Sequence, residues 1–134
     1  MTNKMEDLMS PWIVVGALNG LLAVALGAFG AHGLAGRVGE KELAAFNTAA
    51  SYHMSHALAL IAVAWVASQN PSATANAAGG AFLTGILLFS GSLYFLGATG
   101  SRALVLITPI GGLAFLAGWL LLALAGWQAM KAAV

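Results

Sequence analysis

Four long apolar stretches, separated by short polar ones, dominate the chain. The first runs from Trp12 to about Ala31, the second lies within Ala49 to Ser68, the third within Ala77 to Ala98 and the fourth within Ala103 to Gly126. Each holds about the 20 residues that a helix needs to cross a hydrocarbon core roughly 30 Å thick. None alternates apolar and polar positions as a half-buried strand does. A chain in lipid must also satisfy its backbone within itself, so helices are expected. The pattern predicts an all-α fold: an integral membrane four-helix bundle of two antiparallel transmembrane hairpins, forming a single transmembrane domain over 1–134.

The connections agree with this reading. Gly33 to Glu42 holds Arg37, Glu40, Lys41 and Glu42, nearly half of the charged side chains. Residues Glu40 to Thr48 therefore read as a wet, amphipathic beginning of the second helix. Asn70-Pro71-Ser72 is a turn and helix-restart signal. Thr99-Gly100-Ser101-Arg102 is short enough to force the last two helices into an antiparallel pair. Four passes put both termini and the Asn70 turn on one side, which gathers Trp12, Trp65 and Trp127 at a single interface, where indole rings concentrate. Arg37, Lys41 and Arg102 fall on the opposite side, against Lys4 and Lys131 with the termini. The positive-inside rule then leans towards extracytoplasmic termini, by a margin of one residue. Lys4 is offset by Glu6 and Asp7, and the following apolar run is long for a signal peptide, so the first stretch reads as a retained span.

Composition excludes the main alternative. Of the 134 residues 60% are hydrophobic and 7% charged, whereas a soluble domain carries roughly 25% charged residues to cover its wet surface. The net charge of +1 provides no basic face for nucleic acid. The absence of cysteine excludes disulfides and thiolate metal sites. The primary partner implied is the lipid bilayer.

Helices in lipid associate through close packing and polar contacts, because acyl chains are as apolar as leucine. Small residues recur at helical spacing for that purpose. Gly16, Gly20, Ala23, Gly27 and Ala31 line one face of the first stretch, with Gly16 and Gly20 as a GxxxG pair. Gly80, Thr84, Gly91 and Ala98 do so in the third, and Gly111, Ala114, Gly118 and Ala125 in the fourth. These faces are expected to pack, either within one bundle or between copies in a homo-oligomer or larger membrane complex. Pro109 falls inside the fourth stretch and cannot donate to the carbonyl of Val105, so a kink absorbed by Thr108 or Gly111-Gly112 is expected.

Ionisable residues within a membrane are costly and draw attention by default. The acids, lysines and arginines lie at or beyond the ends of the stretches, leaving the histidines. His53 and His56 are three apart and project from neighbouring positions of one helix. His56 lies about 10 Å below the loop-side interface at 1.5 Å per residue. His32 ends the first stretch on that side, and Asn47 and Tyr52 are close by in sequence. His32, His53 and His56 are candidates for a metal or haem site, since imidazole suits zinc, copper and nickel, or for proton passage. The plainer role is a hydrogen bond across a helix contact, and the same holds for Asn19 in mid-helix. Ser90 and Ser92 can bond back to their own helix.

Enzyme motifs are missing, and no catalytic residue or cofactor is predicted. The run Gly27 to Gly33 has glycines but follows no strand, so it is not a dinucleotide site. Ser55-His56 is not a nucleophile–base pair, because adjacent helical residues point in different directions. The apolar stretches hold no acid to couple cation export to protons, unlike small drug-exporting four-helix proteins.

The ordered blocks Gly16-Ala17-Leu18-Asn19-Gly20 and Gly27-Ala28-Phe29-Gly30-Ala31-His32-Gly33-Leu34 resemble a known family, domain of unknown function 423. The resemblance continues through Phe46-Asn47-Thr48-Ala49, Tyr52-His53-Met54-Ser55-His56-Ala57-Leu58 and Phe89-Ser90-Gly91-Ser92-Leu93-Tyr94. It closes with Thr108-Pro109-Ile110-Gly111-Gly112 and Gly118-Trp119. That family includes small bacterial inner-membrane proteins and is similar to the animal transmembrane protein 256. In its pattern His32 and His56 belong, whereas glutamine often stands where His53 is. The resemblance implies a four-pass membrane protein and carries no activity with it.

Two functions are carried forward: a non-enzymatic assembly or accessory membrane subunit, and a small oligomeric channel or transporter lined by His32, His56, Asn19 and Tyr52. A histidine metal or haem site is the third and least supported.

Overall fold

The computed structural model describes residues 10–134. The charges of Lys4, Glu6 and Asp7 lie outside the described residues. Four helices follow: α1 (Trp12–Leu34), α2 (Glu40–Gln69), α3 (Ala73–Thr99) and α4 (Thr108–Ala132). All four are long and apolar enough to span a bilayer, and the described residues hold no strand. The fold is the expected all-helical membrane bundle. Two helices contain π-helical turns, Gly30–Leu34 at the end of α1 and Ile86–Ser90 in the middle of α3.

Local chemistry sets the boundaries. α2 begins at Glu40 after the extended Gly39, and Glu40 and Glu42 in its first turn complement the positive end of the helix dipole. Ser72 caps α3, its Oγ accepting from the Ala75 N–H at 3.1 Å. Gly100 ends α3 with φ 71°, a left-handed conformation that glycine adopts without a Cβ clash.

Pro109 corrects an expectation. Residues 103–107 form turns rather than helix, α4 starts at Thr108, and Pro109 stands in its first turn. A first-turn residue has no intrahelical acceptor, so the missing N–H costs nothing and no kink arises. The last connection is correspondingly longer than the four residues Thr99 to Arg102.

α2 is central, packing on α1 and α3, while α3 also packs on α4. The core is built from Ala59, Leu60 and Val63 of α2, Ala78, Phe82 and Ile86 of α3, and Phe115 of α4. Trp12 lays its indole over Gly79 and donates Nε1–H to the Asn76 Oδ1 at 3.0 Å, bringing the beginnings of α1 and α3 together. Trp65 and Gln69 of α2 share a crevice with Ala129 and Met130 of α4. Trp12, Trp65 and Trp127 thus occupy the same end of the bundle. The outer surface carries Leu18, Leu21, Leu22, Leu116 and Leu120, all exposed, where a water-facing bundle would place charge.

The glycines divide. A Cβ on Gly16 would stand 2.7 Å from Ile61 Cδ1 and 3.1 Å from the Ala57 carbonyl oxygen, so α1 and α2 approach there as only glycine allows. Gly111 meets the backbone of Leu88 and Phe89, and Gly118 lies under the Phe82 ring, where a Cβ would be 2.6 Å away. Gly27 makes an ordinary contact, 3.8 Å to Ala50 Cβ. Gly20 has no neighbour within 4 Å, and Gly91 meets only the Ile86 oxygen of its own helix at 3.9 Å. On the first half of α3 the packed residues are Ala75, Ala78, Gly79, Phe82, Gly85 and Ile86. The stripe from Gly80 through Thr84 to Ala98 turns outward instead, because the indole of Trp12 and the ring of Phe115 need Gly79 and Gly85 opposite them.

Candidate functional site

Helical spacing places His53 and His56 on adjoining faces of α2, and both are buried. His53 connects three helices. Its Nε2 lies 3.0 Å from Asn19 Oδ1 of α1, and its Nδ1 lies 2.9 Å from the Tyr94 hydroxyl of α3. The Asn19 amide donates Nδ2–H to the Val15 carbonyl at 2.8 Å, which leaves its oxygen to accept from His53. The network therefore assigns the proton to Nε2, and Nδ1 accepts from Tyr94. The Phe46 ring, edge-on to Tyr94 at 4.9 Å, holds the phenol in place.

His56 has the opposite tautomer. Its Nδ1–H donates to the Tyr52 carbonyl at 2.7 Å, and its Nε2 accepts from the Trp119 Nε1–H of α4 at 3.1 Å. The imidazole stacks on Phe115, with centroids 3.6 Å apart and planes 12° from parallel. Phe82 and Trp119 close the surroundings at 5.7 and 5.8 Å.

His32 stays apart. It is exposed in the π turn ending α1, about 20 Å along that helix from Asn19, the residue that meets His53. Among the described residues no group of three or more His, Cys, Asp or Glu side chains gathers in one place. The lone pairs that would ligate a metal are also engaged, at His53 by Tyr94 and at His56 by Trp119. The three histidines do not fit a shared metal or haem. Tyr52 packs its ring on Phe89 at 4.6 Å, and its hydroxyl makes no hydrogen bond among the described residues.

Two serines complete the interior. Ser90, at the close of the π turn in α3, donates across to the Ala49 carbonyl of α2 at 3.0 Å. Ser92 does bond back, to the Phe89 carbonyl at 2.9 Å, and also accepts from Thr108 of α4 at 2.5 Å. Among the described residues no buried side-chain nitrogen or oxygen lacks a partner. Tyr94 and Trp119 were not singled out by reading the residues, although each is an aromatic with a polar tip inside an apolar stretch, and such tips seek a partner. A groove of about 460 Å³, open at the outer surface, runs beside His56, bounded by Tyr52, Phe89, Pro109, Phe115 and Trp119.

A four-pass helical membrane protein, its buried polar groups paired between helices, is the class that fold and interior define together. Residues 26–112 match the family described as "Protein of unknown function (DUF423)". The chain is 47% identical over 118 residues to the UPF0382 membrane protein YwdK of Bacillus subtilis, spanning 87% of this chain and 96% of that one. A UPF0382 membrane protein of Haemophilus influenzae is 46% identical over 112 residues, 84% of this chain and 90% of its own. Another from Staphylococcus epidermidis is 45% identical over 117 residues, 87% and 95%. The protein belongs to the DUF423 family of membrane proteins. No solved structure matches the chain.

Proposed function

We propose that the protein is a non-enzymatic assembly or accessory subunit of the bacterial inner membrane, acting through its outer helix faces with copies of itself or in a larger membrane complex. One observation carries this reading: both nitrogens of His53 and of His56 are engaged in hydrogen bonds. A metal ligand needs a free lone pair, and a proton relay needs an exchangeable partner on each side of the imidazole. The partners of His53 and His56 are an amide, a backbone carbonyl, an indole N–H and the Tyr94 hydroxyl, of which only the last is exchangeable. Here the imidazoles serve to hold helices together, which leaves the surface as the working part. Gly16, Gly111 and Gly118 likewise serve contacts inside the bundle, while Gly20, Gly80 and Gly126 have nothing within 4 Å and stay available. The excess of Arg37, Lys41 and Arg102 over Lys131 and Lys4 supports cytoplasmic connecting loops and extracytoplasmic termini.

The test is the mass of the protein in nanodiscs of its native lipid. A multiple of the chain, or a stoichiometric partner, is expected. A single chain without a partner overturns the proposal. A second reading is a small oligomeric channel or transporter for a proton, ion or small solute. It draws on the exposure of His32 and the groove beside His56. Flux into liposomes that falls in His56→Ala while the fold is kept would replace the first reading with this one.

A further inference from the structure

The outward side of α2 differs in chemistry from that of its neighbours. Ala44, Thr48, Ser51, Ser55, Leu58 and Trp65 are all exposed. With half-buried Ala62, and Lys41 and Gln69 at the ends, they recur at alternating steps of three and four. That mean spacing of 3.5 keeps one straight seam along a helix, as a left-handed pair of helices requires. The middle of the seam is hydroxyl-bearing, whereas the outward sides of α1 and α4 present leucines such as Leu21, Leu22, Leu116 and Leu120.

Depth makes this costly. α2 has 30 residues, about 45 Å at 1.5 Å per residue, with Glu40 and Lys41 at one end and Gln69 at the other. Measured from Ala49, where the apolar stretch opens, Ser55 stands about 9 Å inside the span, Ser51 about 3 Å inside and Thr48 at its edge. Ser55 passes its proton to the Ser51 carbonyl at 2.9 Å and keeps its lone pairs free. The hydroxyls of Thr48 and Ser51 bond to nothing among the described residues. Back-bonding of this kind explains how Ser55 survives in lipid; it does not account for Ser51 one turn before it on the same seam.

A second copy of the chain supplies what acyl chains lack. Copies inserted the same way up are related by an axis along the membrane normal, so each residue meets its own equivalent at equal depth. A hydroxyl both donates and accepts, so identical hydroxyls can bond one another where identical ammonium groups would repel. Beside the seam, Tyr52 and His56 border the groove against α4, and on it Trp65 and Gln69 border the crevice nearer the termini, which provides holes for knobs of a facing helix. We propose that α2 is the self-association helix, a second copy docking its own α2 along Thr48, Ser51 and Ser55. The inference rests on reading the protein as a self-assembling subunit.

The chain has no cysteine, so single-cysteine variants can be oxidised in native membranes. Ser51→Cys and Ser55→Cys should form disulfide-linked dimers at least about fivefold more than Leu21→Cys or Leu120→Cys, because the bond needs Cα atoms within about 7 Å. The variant with both Ser51→Ala and Ser55→Ala should keep its helix content while dimerising about tenfold more weakly. Cross-linking through Leu21→Cys or Leu120→Cys alone would move the contact elsewhere and leave the assembly reading standing. No cross-link at any position, with a single chain in nanodiscs, would remove both. Labelling of Ser51→Cys and Ser55→Cys by a membrane-impermeant thiol reagent would replace the sealed seam with a water-lined path.

Discussion

His53 and His56 stand one helical turn apart on α2, yet different physics holds each. His53 is fixed by direction: its two ring nitrogens reach Asn19 and Tyr94, and three helices share one chain of hydrogen bonds. His56 is fixed by surface: its ring lies flat on Phe115 among Phe82 and Trp119, and its only hydrogen bond to another helix comes from that indole. The tautomers are opposite because Asn19 offers an oxygen to His53 Nε2, whereas the indole offers only a donor to His56 Nε2. Neither residue type nor depth decides a histidine's role in this bundle; its partners do. The two sites divide the task of holding four helices, with the polar chain tying α2 to α1 and α3 and the aromatic stack tying it to α4.

The difference can be broken experimentally, beginning at the aromatic site. His56→Ala removes the stacked ring and leaves the Trp119 N–H without an acceptor, so a loss of about 3 kcal/mol is expected in detergent-unfolding titrations. A loss below about 1 kcal/mol would mean that the stack does little. Asn19→Leu leaves the proton on His53 Nε2 without a partner in hydrocarbon, and about 1–2 kcal/mol should be lost by the same measurement. Tyr94→Phe deletes one hydroxyl at the edge of the chain, and about 0.6 kcal/mol is expected, the mean for interhelical hydrogen bonds in a membrane.

Two further tests predict almost no change. Glutamine carries an amide NH2 and a carbonyl oxygen, which supply the donor and the acceptor that the Nε2–H tautomer of His53 presents to Asn19 and Tyr94. His53→Gln should therefore fall within about 0.5 kcal/mol of the native protein, while His53→Leu should not. With no substitution at all, nitrogen NMR should find the proton on Nε2 of His53 and on Nδ1 of His56. The same tautomer at both sites would end the contrast.

Much of the fold was legible in the residue order because the solvent imposes it. Apolar runs of membrane-spanning length, with so few charges, leave helices in lipid as the answer, and tryptophans at three helix ends mark one interface. Boundaries were less legible where a helix runs past its apolar stretch, as α2 does by starting at Glu40, well before Ala49. Pro109 shows the same limit, since its ring is equally compatible with a kink and with a first turn. Only the turns at 103–107 decide between them.

The candidate site was legible in its members and not in its pairings. Residue order marked Asn19, His53 and His56 as polar groups inside lipid, which is a matter of type and position along one helix. It did not join His53 to Asn19 and Tyr94, or His56 to Trp119, nor did it separate His32 from both. Those relations depend on the rotation and depth of each helix against its neighbours. Rotation is set by how rings such as Phe82, Phe115 and Trp12 settle over Gly118, Gly85 and Gly79. Hydrophobicity along the chain determined that four helices must lie in a membrane; side-chain packing between distant segments decided which of their polar groups meet.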